Sequence, residues 1–176
     1  MAVLNYANKF NPYLTPFTRV LIDRPFTGVA YRGVYLESLE RLDFKGLNVK
    51  NFSFARDAFA QCAKDKFHLP PVYDCECGFY SFNDLVDAKE YTIFHKGALV
   101  VEVELYGEII EHEIGYRSRE LSINKVYIPT MCSYKTCTKE SSSIKASVKV
   151  NSWRCSMHKI NGATELKSLK FEYSLI

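Results

Sequence analysis

The sequence predicts an α+β fold: a mixed or antiparallel sheet with two helices and two zinc-bound loop modules. Three observations carry this expectation. From Leu99 onward apolar residues alternate with charged ones, the period of a half-buried strand. Two earlier stretches repeat apolar residues at helical spacing. All six cysteines, with two of the four histidines, fall into two clusters of four metal-type ligands.

The elements follow in chain order. The first 27 residues hold Pro12, Pro16 and Pro25 among aromatics and read as extended chain and turns. Residues 28–37 read as a strand with a bulge at Gly33. A helix is expected over 54–66, capped by Ser53, because Ala55, Phe59, Cys62 and Ala63 recur at helical spacing. A second helix is expected over 82–94. There Ser81 and Asp84 have the form of a capping box, and Phe82, Leu85, Val86 and Ile93 share a face.

The period then changes to two. Leu99, Val101, Val103 and Leu105 alternate with Glu102 and Glu104. Gly107 marks a turn or bulge, after which 108–114 continues as strand with Ile110, His112 and Ile114 on one face. Residues 126–128 form a further short strand ended by Pro129, and the segments 144–153 and 166–173 alternate as well. This organises the chain as an α+β core over 1–129, carrying the first cluster, and a zinc-ribbon-like subdomain over 130–176 packed on it.

At 176 residues the chain is long enough for a real core, and a hydrophobic share of 47% with 14% aromatics fits a folded globule rather than a disordered chain. Apolar runs such as 98–101 are too short to span a bilayer, so no membrane partner is expected. The first residues lack a basic stretch followed by an apolar one, which makes the cytoplasm the expected compartment; there the cysteines stay reduced. Charge is polarised. Residues 1–124 carry 14 basic and 17 acidic side chains, whereas 125–176 carry nine basic and three acidic, a local balance of +6. That segment can present either a basic face to a polyanion or simply a solvated lysine-rich surface.

The later cluster reads Cys132-x4-Cys137-x17-Cys155-x2-His158. Two close ligand pairs separated by enough chain for a hairpin are how a zinc ribbon closes a tetrahedron. The earlier cluster reads Cys62-x5-His68-x6-Cys75-x-Cys77. In extended chain Cys75 and Cys77 point to the same side and can reach one ion. The competing reading makes Cys62 a core residue of the first helix. Four ligands per cluster use every cysteine and leave no open coordination position, so two structural zinc ions are expected.

The residues from Cys62 and His68 through Pro71, Cys75, Cys77-Gly78-Phe79-Tyr80-Ser81-Phe82, followed by Val101, Val103, Leu105-Tyr106-Gly107, Ile109-Ile110-Glu111-His112-Glu113 and Gly115-Tyr116-Arg117, carry a resemblance. They are similar to a small bacterial and phage family with a CxCGxYAF … GEVxLWGxVIEHExGYRA pattern and a cysteine- and histidine-rich tail. The resemblance spans roughly residues 62–158. It implies the same ligand assignment and a cytoplasmic setting, and brings no reaction with it. Where the family continues ExAYP, this chain has Arg119-Glu120-Leu121-Ser122.

Outside the cysteines, Glu111-His112-Glu113 with Arg117 is the densest polar group. It reads either as a pocket, His112 serving as acid/base and Arg117 as an anion contact, or as a satisfied core histidine between solvated carboxylates. No H-E-x-x-H, G-x-S-x-G, Walker or G-x-G-x-x-G motif occurs. Without the first zinc, Cys62, Cys75 or Cys77 becomes a candidate nucleophile. For nucleic acid, Lys135, Lys139, Lys145, Lys149 and Arg154 are the expected phosphate contacts, with Tyr134 and Trp153 as aromatic neighbours. Trp153 can equally serve as the small core of the zinc hairpin. Three functions therefore stand open: a zinc-stabilised nucleic-acid-binding or regulatory adaptor module, a protein–protein interaction factor such as a phage-encoded inhibitor of a host protein, and an enzyme acting on a nucleotide or nucleic acid through His112.

Overall fold

The computed structural model describes residues 20–21, 26–47, 53–65, 67–146 and 151–176. In chain order the strands are β1 (Val20–Leu21), β2 (Ala30–Ser38), β3 (Asp43–Gly46), β4 (Ser53–Phe54), β5 (Asp57–Phe59) and β6 (Phe79–Phe82). Then come helix α1 (Leu85–Ile93), β7 (Leu99–His112), β8 (Gly115–Ile128), β9 (Ser143–Lys145), β10 (Ser152–Arg154), β11 (Thr164–Glu165) and β12 (Tyr173–Leu175). Short 3-10 turns cover Ser156–His158 and Leu166–Ser168. The fold is thus mostly antiparallel sheet with one α-helix among the described residues.

The two 14-residue strands β7 and β8 form the frame. They pair antiparallel from Val100↔Tyr127 to His112↔Gly115, leaving only Glu113 and Ile114 to turn the chain. β2 pairs with β7 and touches β6, and β6 pairs with β8, so the ladder runs from β7 through β8, β6 and β2 back to β7. β12 joins β8 in parallel, the one parallel pairing described. A second sheet has the order β10-β9-β11.

Alternation along the strands builds the core. Leu99, Val101, Val103 and Leu105 of β7 and Leu121 and Ile123 of β8 are buried together with Val34, Leu36, Phe44, Phe54 and Phe79. Burying a side chain of this size contributes about 1.5–3 kcal/mol. The other face of the frame is covered by α1, where Ala88 meets Phe82, Val100 and Tyr127. Ile144 and Leu166, from the segment beyond 130, belong to the main core. The segment therefore shares its hydrophobic interior with the core while building a small sheet of its own.

Several expectations are corrected. The helix expected over 54–66 is not found at its described residues 54–65: β4 and β5 occupy 53–59, and loop follows to 65. Phe54 packs on Phe44 and Phe79, β5 pairs with β8, and Cys62 turns toward Cys75, so sheet pairing and thiol placement override a short helical period. Ser53 caps nothing; its hydroxyl donates to the Glu37 carboxylate. The remaining helix starts at Leu85 rather than 82. Asp84 caps it by accepting from the Val86 amide at 2.6 Å, because Ser81 and Phe82 are held in β6. Val86 and Ile93 face solvent, not the sheet. No bulge occurs at Gly33, which pairs regularly with Val100; the irregularity in β2 lies between Leu36 and Ser38. Gly107 does sit in a bulge, between Tyr106 and Ile109. The expected alternation at 147–150 and most of the first 27 residues lie outside the described residues.

Candidate metal centres

The loop from Cys62 to Cys77 leaves β5 and returns into β6, and it lies against the end of the frame. Two arginines of β8 hold it there through its carbonyls. Arg117 donates to the Cys75 carbonyl, and Arg119 Nε donates to the Pro70 carbonyl at 3.2 Å. The neighbouring Gly78 has a φ of +115°, and a Cβ there would meet Arg117 Cγ at 2.7 Å, so the chain can enter β6 at this point only without a side chain. Within the loop the four ligand atoms come together. Cys62 Sγ lies 3.6 Å from Cys75 Sγ, and His68 Nε2 lies 3.2 Å from Cys77 Sγ.

The second group is built by the small sheet and two turns. Cys132 and Cys137 flank a tight turn in which the Cys137 amide donates to the Tyr134 carbonyl at 2.9 Å. Cys155 follows directly on β10, and one 3-10 turn carries His158 back over it. Cys137 Sγ and Cys155 Sγ are 3.8 Å apart, and His158 Nδ1 lies 3.3 Å from Cys155 Sγ and 3.8 Å from Cys132 Sγ.

In each group all four donor atoms lie within 4.8 Å of one another. Bonds of about 2.0–2.3 Å in a tetrahedron require donor–donor edges of about 3.3–3.8 Å. The separations suit a four-coordinate ion and exceed the ~2.05 Å of a disulfide. All six cysteines are free thiols. Both clusters expected from the sequence, Cys62, His68, Cys75 and Cys77, and Cys132, Cys137, Cys155 and His158, are thus geometrically suitable for metal ions.

The electrostatics of the thiols fit the same use. The Asp65 amide, donating to sulfur at 3.2 Å, pulls the Cys62 thiol down to about 7. Burial pushes the Cys77 thiol up to about 11. At Cys132 burial acts upward, but hydrogen bonds from the Cys155 and Tyr134 backbone and from His158 outweigh it and bring the thiol to about 6. Each group therefore favours some thiolate near neutral pH, and a cation supplies the charge that ionises the rest. His68 is oriented as ligating histidines are: its Nε2 faces the thiols, and its Nδ1 lies 3.3 Å from the Asp65 carboxylate.

The other expected site residues scatter. Arg117, expected as an anion contact, is fully buried beneath the first loop. Glu111 and Glu113 are exposed, while His112 closes β7 opposite Gly115. A cavity of about 200 Å³ is lined by Leu42, Phe44, Arg56 and Lys170 among others, and none of Glu111, His112, Glu113 or Arg117 reaches it. Among the cations expected to meet phosphate, Lys139 Nζ donates to Met157 Sδ and Lys145 Nζ to the Asn161 carbonyl. Lys149 lies outside the described residues. Trp153 is half-buried and packs against the main core, whereas Tyr134 is 40% exposed. Sequence reasoning missed Asp65 and Arg119; the spacing Asp65-x2-His68 is the one signal that pointed to the former.

No helix among the described residues is long and apolar enough to cross a membrane. Comparison with family models, curated proteins and solved structures found no match to this chain.

Proposed function

We propose that the protein is a nucleic-acid-binding module whose shape depends on two structural zinc ions, and that the surface of the second centre meets the nucleic acid. One observation carries this reading. The exposed Tyr134 ring stacks on His158 with centroids 4.2 Å apart and planes 22° from parallel, while Lys135 Nζ and the Arg154 guanidinium each lie 5.6 Å from its centroid. A ring fixed by a metal ligand offers an unstacked base a rigid platform at little entropic cost, and two adjacent cations suit the flanking phosphates. Among the described residues neither Lys135 nor Arg154 is tied up in an ion pair; Arg154 instead donates to the Ser133 hydroxyl at 2.9 Å. Zinc suits three thiolates and an imidazole in a closed tetrahedron, and its lack of redox chemistry suits a centre that only maintains shape.

The test is binding of fluorescent single-stranded oligonucleotides across a salt series. Log affinity should fall linearly with log salt, and Tyr134→Ala should weaken every sequence by ~1–3 kcal/mol. Absence of binding at low salt sinks the reading. A second reading, protein capture, is favoured by Val86, Ile93 and Phe94, which stand 60%, 76% and 66% exposed along and just beyond α1. Salt-insensitive association that is lost in Ile93→Asp would select it.

A further inference from the structure

Arg117 of β8 is a charged side chain set in the interior of the fold. Its side chain is fully buried, yet among the described residues no carboxylate stands within ion-pair distance of it. The guanidinium donates through Nη1 to the Cys75 carbonyl and lies beside Tyr80, 5.8 Å from its ring centroid, while Nε and Nη2 find no hydrogen-bond partner among the described residues. Arg119, two residues on along β8, makes the contrast plain: it also bonds the metal loop, but it is partly exposed and paired with Glu108. An arginine is charged at any ordinary pH, and a charge removed from water without a compensating opposite charge is strongly destabilising.

The first centre is the anion that this cation lacks. Three thiolates and a neutral imidazole around a divalent ion leave a net charge of −1, placed on the loop whose Cys75 carbonyl Arg117 already holds. We infer that Arg117 is the counter-charge of the first metal centre: it meets, from the buried side of the loop, the negative charge that Cys62, Cys75 and Cys77 leave when all three ionise around a divalent ion. This rests on the proposed zinc sites and adds their charge and the reason the first can be set against a packed interior. Arg117 is a positioning residue, acting through the Cys75 backbone and through its charge, not a ligand.

The experiment measures zinc affinity of the full chain by competition with a chromophoric chelator, site by site. Arg117→Met, which keeps bulk and removes charge, should weaken one of two zinc ions by about 10–100-fold and leave the other unchanged. Arg117→Lys should recover part of the loss, because the charge returns without the planar guanidinium that reaches the Cys75 carbonyl. Charge is separated from packing by Cys62→His, which makes the donor set neutral around a divalent ion: in that background Arg117→Met should cost severalfold less. Equal losses in Met and Lys variants, or the same Arg117→Met loss in both backgrounds, would overturn the counter-charge role while two zinc ions in the unmodified chain upheld the zinc sites. A single tight zinc in the unmodified chain, held by Cys132, Cys137, Cys155 and His158, would overturn both.

Discussion

The two metal centres reach the same donor set by opposite routes. The first is a loop laid against a large sheet: its ligands come from a segment with no regular structure of its own, and the frame holds it through Arg117, Arg119 and the β6 entry. The second is its own scaffold, in which a three-stranded sheet and two tight turns bring the ligands together. The first borrows rigidity from the core and the second has to create it. The lesson is that ligand spacing reports the local scaffold. Short knuckle-like pairs suffice where the centre organises its own surroundings, and irregular spacing is tolerated where a neighbouring sheet does that work.

The largest expected effect tests this division directly. Cys155→Ser should remove one ion and collapse the small sheet around it, since structural zinc supplies apparent binding energy of ~10–16 kcal/mol in small modules. Elemental analysis should show one ion, with Trp153 fluorescence altered and amide protection of β7 and β8 retained. Equal loss of protection in both regions would erase the distinction between the centres. Next in size is Gly115→Ala. A Cβ at Gly115 would stand 2.0 Å from the Ser81 carbonyl oxygen, so β6 must move, and β6 is the strand that anchors Cys77 and Gly78. Chemical denaturation should report a loss of about 3 kcal/mol, with metal lost from the first centre only.

A smaller effect sharpens the comparison further. Asp65→Ala removes the carboxylate that orients His68 and should lower zinc affinity at the first centre by roughly 10-fold, read by chelator competition. The second centre has an aromatic ring against its histidine instead, so Tyr134→Leu should change its affinity less. Smallest of all, Asp84→Ala should cost about 1 kcal/mol through the lost helix cap and leave both metal contents unchanged.

Both cysteine–histidine clusters were legible in the sequence because metal chemistry restricts the residue types and the geometry restricts their spacing; Cys132, Cys137, Cys155 and His158 need little more than a hairpin to meet. The β7 strand was legible because one face meets a core and the other carries Glu102 and Glu104. What failed was whatever depended on distant partners. The period of Ala55, Phe59, Cys62 and Ala63 is helical on paper, but Phe54 and Ala58 are the residues that become buried, against strands far away in the chain. Arg117 misled for the same reason. Beside Glu111, His112 and Glu113 it reads as an anion contact of their pocket, and only the path of the loop above β8 sets it beneath Cys75.

The tight connection between β7 and β8 also bears on the order of assembly. The 14 residues on either side of Glu113 and Ile114 can zip together without closing any long loop, a step that takes microseconds in isolated hairpins. The pairing of Tyr173 with Val126 must instead bring together distant parts of the chain. A newly made chain therefore raises its central hairpin first and threads its metal loops onto a surface already present, and in pulse-labelling the amides near His112 and Gly115 should be the earliest to resist exchange.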